Sequence, residues 1–212
     1  TMYLTRVEID RNNRKKTRDL THAGAYHNWV EQSFPEEWEN KERSRKLWRL
    51  DTLQGKPYLL LVSRTKPDAQ ALEKYGVEGS VQTKSYQPFL DALHTGQKAR
   101  FRVTLNPVIA LAQKEGRGRV VPHVTAQQQM QFLADRAEKN GFSLEEDNYG
   151  IVERGYVEFH RSGQRPIRLS KASYEGILTI TEEDTFRRLL TEGMGKKKAY
   201  GFGLMTVIPI RP

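Results

Sequence analysis

Apolar positions recur along the chain with the period of a strand in some stretches and of a helix in others, and their order predicts the fold. In residues 3–9, Tyr3, Val7 and Ile9 fall on one side while Arg6 and Glu8 fall on the other, so the chain opens with a strand. A basic loop over residues 11–18 is too charged to pack. Tyr26, Trp29, Val30 and Phe34 then follow at helical spacing and predict a helix over 22–33, opened by Thr21 as N-cap and stopped by Pro35. Strands are expected over 47–53 and 58–62 around a turn at Gln54-Gly55-Lys56. The second of them is apolar throughout and belongs in the middle of a sheet. A short helix near 68–75 and a strand near 80–86 complete the order β-α-β-β-α-β, the ferredoxin-like or RRM-like unit.

Residues 87–96, with Pro88 and Gly96, read as a linker. Beyond them Phe101, Val103 and Leu105 alternate with outward Arg100, Arg102 and Thr104, and Asn106-Pro107 ends the strand. A basic glycine loop carrying Lys114, Arg117 and Arg119 leads to a helix over 125–140, with Gly141 at its C-terminal end. Strands over 152–160 and 168–181 are joined by a tip, Arg161-Ser162-Gly163-Gln164-Arg165. Thr181 and Asp184 form a capping-box-like start for a last helix with Phe186, Leu189 and Leu190 on its core face. A glycine-rich loop and a strand over 204–210 finish the chain. The expected fold is α+β: two tandem ferredoxin-like (RRM-like) βαββαβ domains over residues 2–87 and 97–212, the second with basic loop and hairpin insertions.

Composition narrows the function. Of 212 residues, 35 are Lys or Arg and 26 are Asp or Glu, a net charge of +9 that points to a polyanionic partner, nucleic acid first among them. The absence of cysteine excludes disulfides, thiolate chemistry and Cys-ligated zinc. His22 and His27 are five apart rather than four, and His94, His123 and His160 fall on separate elements, so neither a metal site nor a cofactor is expected. Arg6, Glu8 and Asp10 interrupt the opening apolar residues, and no run approaches the roughly 18 apolar residues of a membrane span. The expected location is cytoplasmic. Thr1, ahead of Met2, is expected to be a remnant of cloning and is set aside.

The segment Gly193-Met194-Gly195-Lys196-Lys197-Lys198-Ala199-Tyr200-Gly201-Phe202-Gly203 carries the most information. Its glycines permit positive φ and close approach of a ligand backbone, and its lysines supply charge for phosphates. It follows a helix and precedes a strand, the reverse of a nucleotide P-loop. A tight turn with a solvated lysine cluster would have the same composition. In full, however, the pattern Gly193-x-Gly195 … Gly201-x-Gly203 before an apolar strand resembles the C-terminal glycine-rich loop of the RAMP superfamily of CRISPR-associated proteins. Met2-Tyr3-Leu4-Thr5, Arg18-Asp19-Leu20 with Tyr26-His27 and Ser33-Phe34-Pro35, and Phe101-Arg102 with Asn106-Pro107 narrow the resemblance to the repeat-processing endoribonucleases of type I-E systems, the CasE family.

The resemblance implies metal-independent cleavage in a CRISPR repeat stem-loop, and retention of the guide RNA with the other subunits of the Cascade complex. It maps the family's cleaving histidine to His27 and its glycine-loop lysine to Lys198. The tyrosine that many members carry three residues before the histidine corresponds to Gly24. The chemistry suits these residues. RNA brings its own nucleophile, the 2′-OH, and needs an imidazole to move protons, as base, acid or both, and a cation for the charge that develops on phosphate. His22 is expected to be a loop or helix-start residue. Contacts to RNA are expected from Lys114, Arg117, Arg119, Arg161 and Arg165, with Arg168 and Lys171 on the next strand. In the glycine loop they are expected from Lys196, Lys197, Gly195, Gly201 and Gly203. A non-catalytic RNA-binding subunit of the superfamily, or a generic binder of structured RNA, would share the basic surface.

Overall fold

Two four-stranded antiparallel sheets, each covered by helices, carry the chain in the computed structural model, which describes residues Thr1–Pro212. The first is built from β1 (Tyr3–Glu8), β2 (Leu47–Leu53), β3 (Lys56–Ser63) and β4 (Gln82–Ser85), in the order β2-β3-β1-β4. Helices α1 (Ala23–Gln32) and α2 (Pro35–Glu39) connect β1 to β2, and α3 (Ala69–Leu72) connects β3 to β4. The all-apolar β3 is central as expected, with Leu59 opposite Val7 and Leu61 opposite Thr5. Polar Thr5 is tolerated in the interior because its hydroxyl bonds Thr83 across the sheet at 3.0 Å.

The second sheet has the order β10-β5-β9-β8. Its strands are β5 (Lys98–Leu105), β8 (Phe142–Phe159), β9 (Ile167–Ile180) and β10 (Met205–Pro209). A small hairpin, β6 (Val108–Leu111) and β7 (Arg119–Pro122), leaves after β5, ahead of α5 (Ala126–Ala137). Helix α6 (Glu183–Glu192) precedes the glycine-rich loop. Strands β8 and β9 run past the sheet as a long hairpin with register shifts between Leu144 and Tyr149 and between Ile151 and Glu153. No helix is long and apolar enough to cross a membrane.

Several local expectations are corrected. Residues 87–91 are not linker but a helix, α4 (Gln87–Asp91), and Leu90 and Leu93 are buried. Thr104 does not face out: it is buried and bonds the hydroxyl of its cross-strand partner Ser173 at 2.8 Å. The last helix is capped by Glu182, whose carboxylate accepts from the backbone N–H of Asp184 and Thr185, not by Thr181. Helix α1 is capped by His22 rather than Thr21.

The two halves are joined through a common apolar cluster. The largest apolar cluster joins Leu47, Val62 and Tyr86 of the first half to Phe101, Val103, Leu105 and Tyr174 of the second. A buried arginine ties the sheets together across this seam. Arg49 of β2 donates to the carbonyls of Arg102 and Leu204 at 2.9 and 3.0 Å and to the Thr206 hydroxyl at 2.8 Å. Asp51 closes the guanidinium from the other side at 2.7 and 2.8 Å, so the buried charge is both paired and hydrogen-bonded.

Candidate functional site

Helix α1 is held at its start by a contact from the far half of the chain. The Nδ1 atom of His22 accepts the Gly24 N–H at 3.1 Å, as an N-cap does, and the His160 N–H at 3.3 Å. The two imidazoles stack with centroids 4.5 Å apart and planes 10° from parallel. Two donors aimed at Nδ1 disfavour a proton on that nitrogen. Burial, and then the neighbouring His160, push its pKa below the ordinary histidine value. Ala23, Phe159, Leu169 and Phe202 pack beneath this junction as a small apolar cluster. The tip of the β8–β9 hairpin is therefore fastened to the first turn of α1.

One turn on, the helix separates two roles. Tyr26 stacks on Trp48 (centroids 5.7 Å, planes 24°) and lies beside Trp29, and burial raises its pKa. Its neighbour His27, a third of a turn round the helix, leaves that apolar face. With Val30 and Glu31, at the i+3 and i+4 positions, His27 lines a cleft of about 670 Å³ whose opposite wall is the glycine-rich loop.

Trp48 sets the position of that loop. Its indole N–H donates to the Ala199 carbonyl at 3.0 Å, and its ring lies where Gly201 passes with φ +88°. A Cβ at Gly201 would come within 2.8 Å of the ring, so glycine is required there for close approach as well as for backbone conformation. The loop closes on itself through Met194 N–H to Gly203 O at 3.0 Å and onto β5 through Gly203 N–H to Thr104 O at 2.9 Å. Lys198 and Tyr200 lie on one short 3₁₀ turn of this loop. Tyr200 stacks on Phe159 at 4.3 Å, and its ring centroid is 5.9 Å from that of His27. The Lys198 amine is half-buried in the cleft wall. Burial first, and the charge of Arg45 second, lower its pKa, with Glu192 opposing.

The cleft is cationic. Arg43, Arg45, Lys46, Arg64, Lys197 and Lys198 line it, against a single carboxylate, Glu31. That carboxylate is engaged: the Lys46 ammonium, 1% exposed, lies 3.2 Å from Glu31 and is also bound by Glu37. The remaining cations face a space with no compensating acid among its lining.

Of the residues expected to act, His27, Gly195, Lys197 and Lys198 come together in this cleft. Gly201 and Gly203 shape the loop behind it, and Lys196 is exposed on the same loop. Arg161 and Arg165 are exposed on the hairpin tip that grips His22, with Arg161 lying 5.5 Å from the Phe159 ring centroid. Lys114, Arg117 and Arg119 are exposed at the end of the β6–β7 arm and do not line the cleft. Arg168 lies over the Tyr156 ring at 4.2 Å, while the charge of Lys171 is compensated by Glu153 at 2.5 Å. Sequence reasoning missed Arg43, Arg45, Arg64, Trp48 and Tyr200. The run Arg43-Ser44-Arg45-Lys46 just ahead of β2 was the available signal for two of them. The stacked histidine pair, 138 residues apart, had none.

Comparison with known proteins covers the whole chain. A family model described as CRISPR associated protein matches residues 2–209. The CRISPR-associated endoribonuclease Cse3 of Thermus thermophilus is 30% identical over 219 residues, covering 98% of this chain and 100% of that one. The structure of Thermus thermophilus Cse3 bound to an RNA representing a pre-cleavage complex superposes with a TM-score of 0.83 at 29% identity, over 98% of this chain and 99% of that one. Cas6e from Escherichia coli K-12 shares the fold, with a TM-score of 0.69 at 20% identity over 98% and 100% of the two chains.

Proposed function

Because the chain belongs to the CRISPR-associated protein family, among the Cse3 (CasE) endoribonucleases, we propose that it cuts precursor CRISPR transcripts into guide RNAs within the repeat stem-loop, without a metal ion. The observation that carries this reading is the meeting of His27 and Lys198, 171 positions apart in the sequence, in one cationic cleft. In the reaction, the 2′ oxygen upstream of the cut attacks phosphorus. The O2′–P bond forms as the P–O5′ bond breaks, giving a 2′,3′-cyclic phosphate and a free 5′-OH. The His27 imidazole takes the 2′ proton. The Lys198 ammonium lies beside the phosphate, and its lowered pKa suits it to give a proton to O5′ as the P–O5′ bond breaks, leaving a neutral amine.

A metal-free reaction fits the lining of the cleft, where cations surround one carboxylate, Glu31, itself bound to Lys46. Each half is read as a ferredoxin-like unit, residues 2–87 and 97–212. Both strand orders, β2-β3-β1-β4 and β10-β5-β9-β8, with helices joining first to second and third to fourth strand, support that layout. The stem is gripped by phosphate contacts from Lys114, Arg117 and Arg119 on one arm and Arg161 and Arg165 on the other, with Lys196, Lys197 and the backbone of Gly195, Gly201 and Gly203 near the cut. The product stays bound in the cytoplasm as part of a Cascade assembly.

Incubation with the repeat hairpin in excess EDTA tests the reading. Cleavage should proceed at the rate seen with magnesium once ionic strength is matched, leaving 5′-OH and cyclic phosphate ends. Binding without cleavage would reduce the protein to an RNA-binding subunit.

A further inference from the structure

We infer that Arg45 is a third catalytic residue of this cleft, its guanidinium binding the non-bridging oxygens of the scissile phosphate; the inference rests on the endonuclease reading. Arg45 lies on the segment that enters β2, and its neighbours on both sides are pinned. Before it, the Ser44 N–H donates to Glu37 at 3.3 Å and the Ser44 hydroxyl bonds the same carboxylate. After it, Lys46 is buried between Glu31 and Glu37 with its ammonium 4.9 Å from the Phe34 ring centroid. Two residues further on, Trp48 bonds the glycine-rich loop. Between these anchored neighbours Arg45 lines the cleft.

Two of the other cations there are less free to serve. Lys46 is neutralised, and Arg43 lies 4.4 Å from the ring centroid of half-exposed Trp38. Arg45 is exposed, lines the same cleft as His27 and Lys198, and has neither an ion-pair partner nor an aromatic ring beneath it. After burial, its charge is the largest influence on the Lys198 amine. Charge grows on the phosphoryl oxygens as the 2′ oxygen attacks, and a guanidinium fork can donate two parallel hydrogen bonds to two of them. Arg45 exchanges no proton; it leaves His27 and Lys198 to move protons between O2′ and O5′.

Single-turnover cleavage of the repeat hairpin tests this, with affinity measured separately on the hairpin carrying a 2′-deoxy nucleotide at the cut. Arg45→Ala should slow cleavage by about 10²- to 10³-fold, the scale of losing one oxyanion donor, while affinity changes by less than about tenfold. Arg45→Lys should restore only part of the rate, since an ammonium cannot bridge two oxygens. Replacing one non-bridging oxygen by sulfur should slow the wild-type protein and have much less effect on Arg45→Ala. Full activity of Arg45→Ala alongside an inactive His27→Ala overturns the role of Arg45 and leaves the endonuclease reading intact. A parallel loss of rate and affinity overturns it in favour of a binding contact, and a wild-type protein that does not cleave takes both readings down.

Discussion

Replacing Gly201 by alanine puts the architecture of the cleft to a quantitative test. The substitution has two costs. At φ +88° an L-residue is strained by about 1–2 kcal/mol, and the new Cβ would meet the Trp48 ring at 2.8 Å, an overpacking that adds about 1–3 kcal/mol. Gly195 separates the two, because it shares the positive φ (+77°) but its Cβ would meet only Leu105 at an ordinary 3.9 Å. Gly195→Ala should therefore cost about 1–2 kcal/mol and Gly201→Ala about 2–5 kcal/mol, read from urea midpoints at unchanged slope. Shortening the obstacle should rescue: Gly201→Ala in a Trp48→Leu background should cost less than in the wild type, a non-additivity expected of residues in contact. Equal costs for the two glycines, with no rescue, would refute the claim that Trp48 sets the position of the loop.

Three further outcomes follow from the same structure. Arg49→Ala should cost about 3–5 kcal/mol in denaturant unfolding, because it leaves Asp51, Thr206 and two carbonyls at the seam without their donor. His22 has a lowered pKa, so the unfolded chain takes up its proton first on acidification. Stability should be full above pH of about 6.5 and fall as pH drops through the folded-state value, a loss that His22→Asn, which keeps a capping acceptor, should remove from a pH series of thermal melts. Arg117→Ala with Arg119→Ala should flatten the dependence of log affinity on log salt by about 0.7–0.9 per lost phosphate contact, and an unchanged slope would take the β6–β7 arm off the RNA.

What was legible in the sequence followed periodicity. Alternation in β1 and β5 and the helical spacing of Trp29, Val30 and Phe34 placed the strands and α1 within a residue or two, because burial of one face is what those patterns encode. Caps were read less well. Thr21 and Thr181 had the right chemistry, but His22 and Glu182 won, the former because a strand end 138 residues away supplies a second donor to its ring. Residues 87–96 looked like a linker because their polar and breaker residues hide Leu90 and Leu93, which belong to the common apolar cluster. His27 and Lys198 were found through resemblance. Their meeting, and the arginines beside them, depend on how β2 and the glycine-rich loop are held by Trp48, a tertiary contact with no local signature.

The pairing of His27 with the hydroxyl of the substrate is tested most directly by single-turnover cleavage of the repeat hairpin by the wild-type protein and by His27→Ala, each on an all-ribose substrate and on one with a single 2′-deoxy nucleotide upstream of the cut. The wild type should cut only the ribose substrate. His27→Ala should cut it at least about 10²-fold more slowly, with the affinity of both proteins for the deoxy hairpin nearly equal. Cleavage of the deoxy substrate by the wild type, or undiminished cleavage by His27→Ala, would contradict the mechanism.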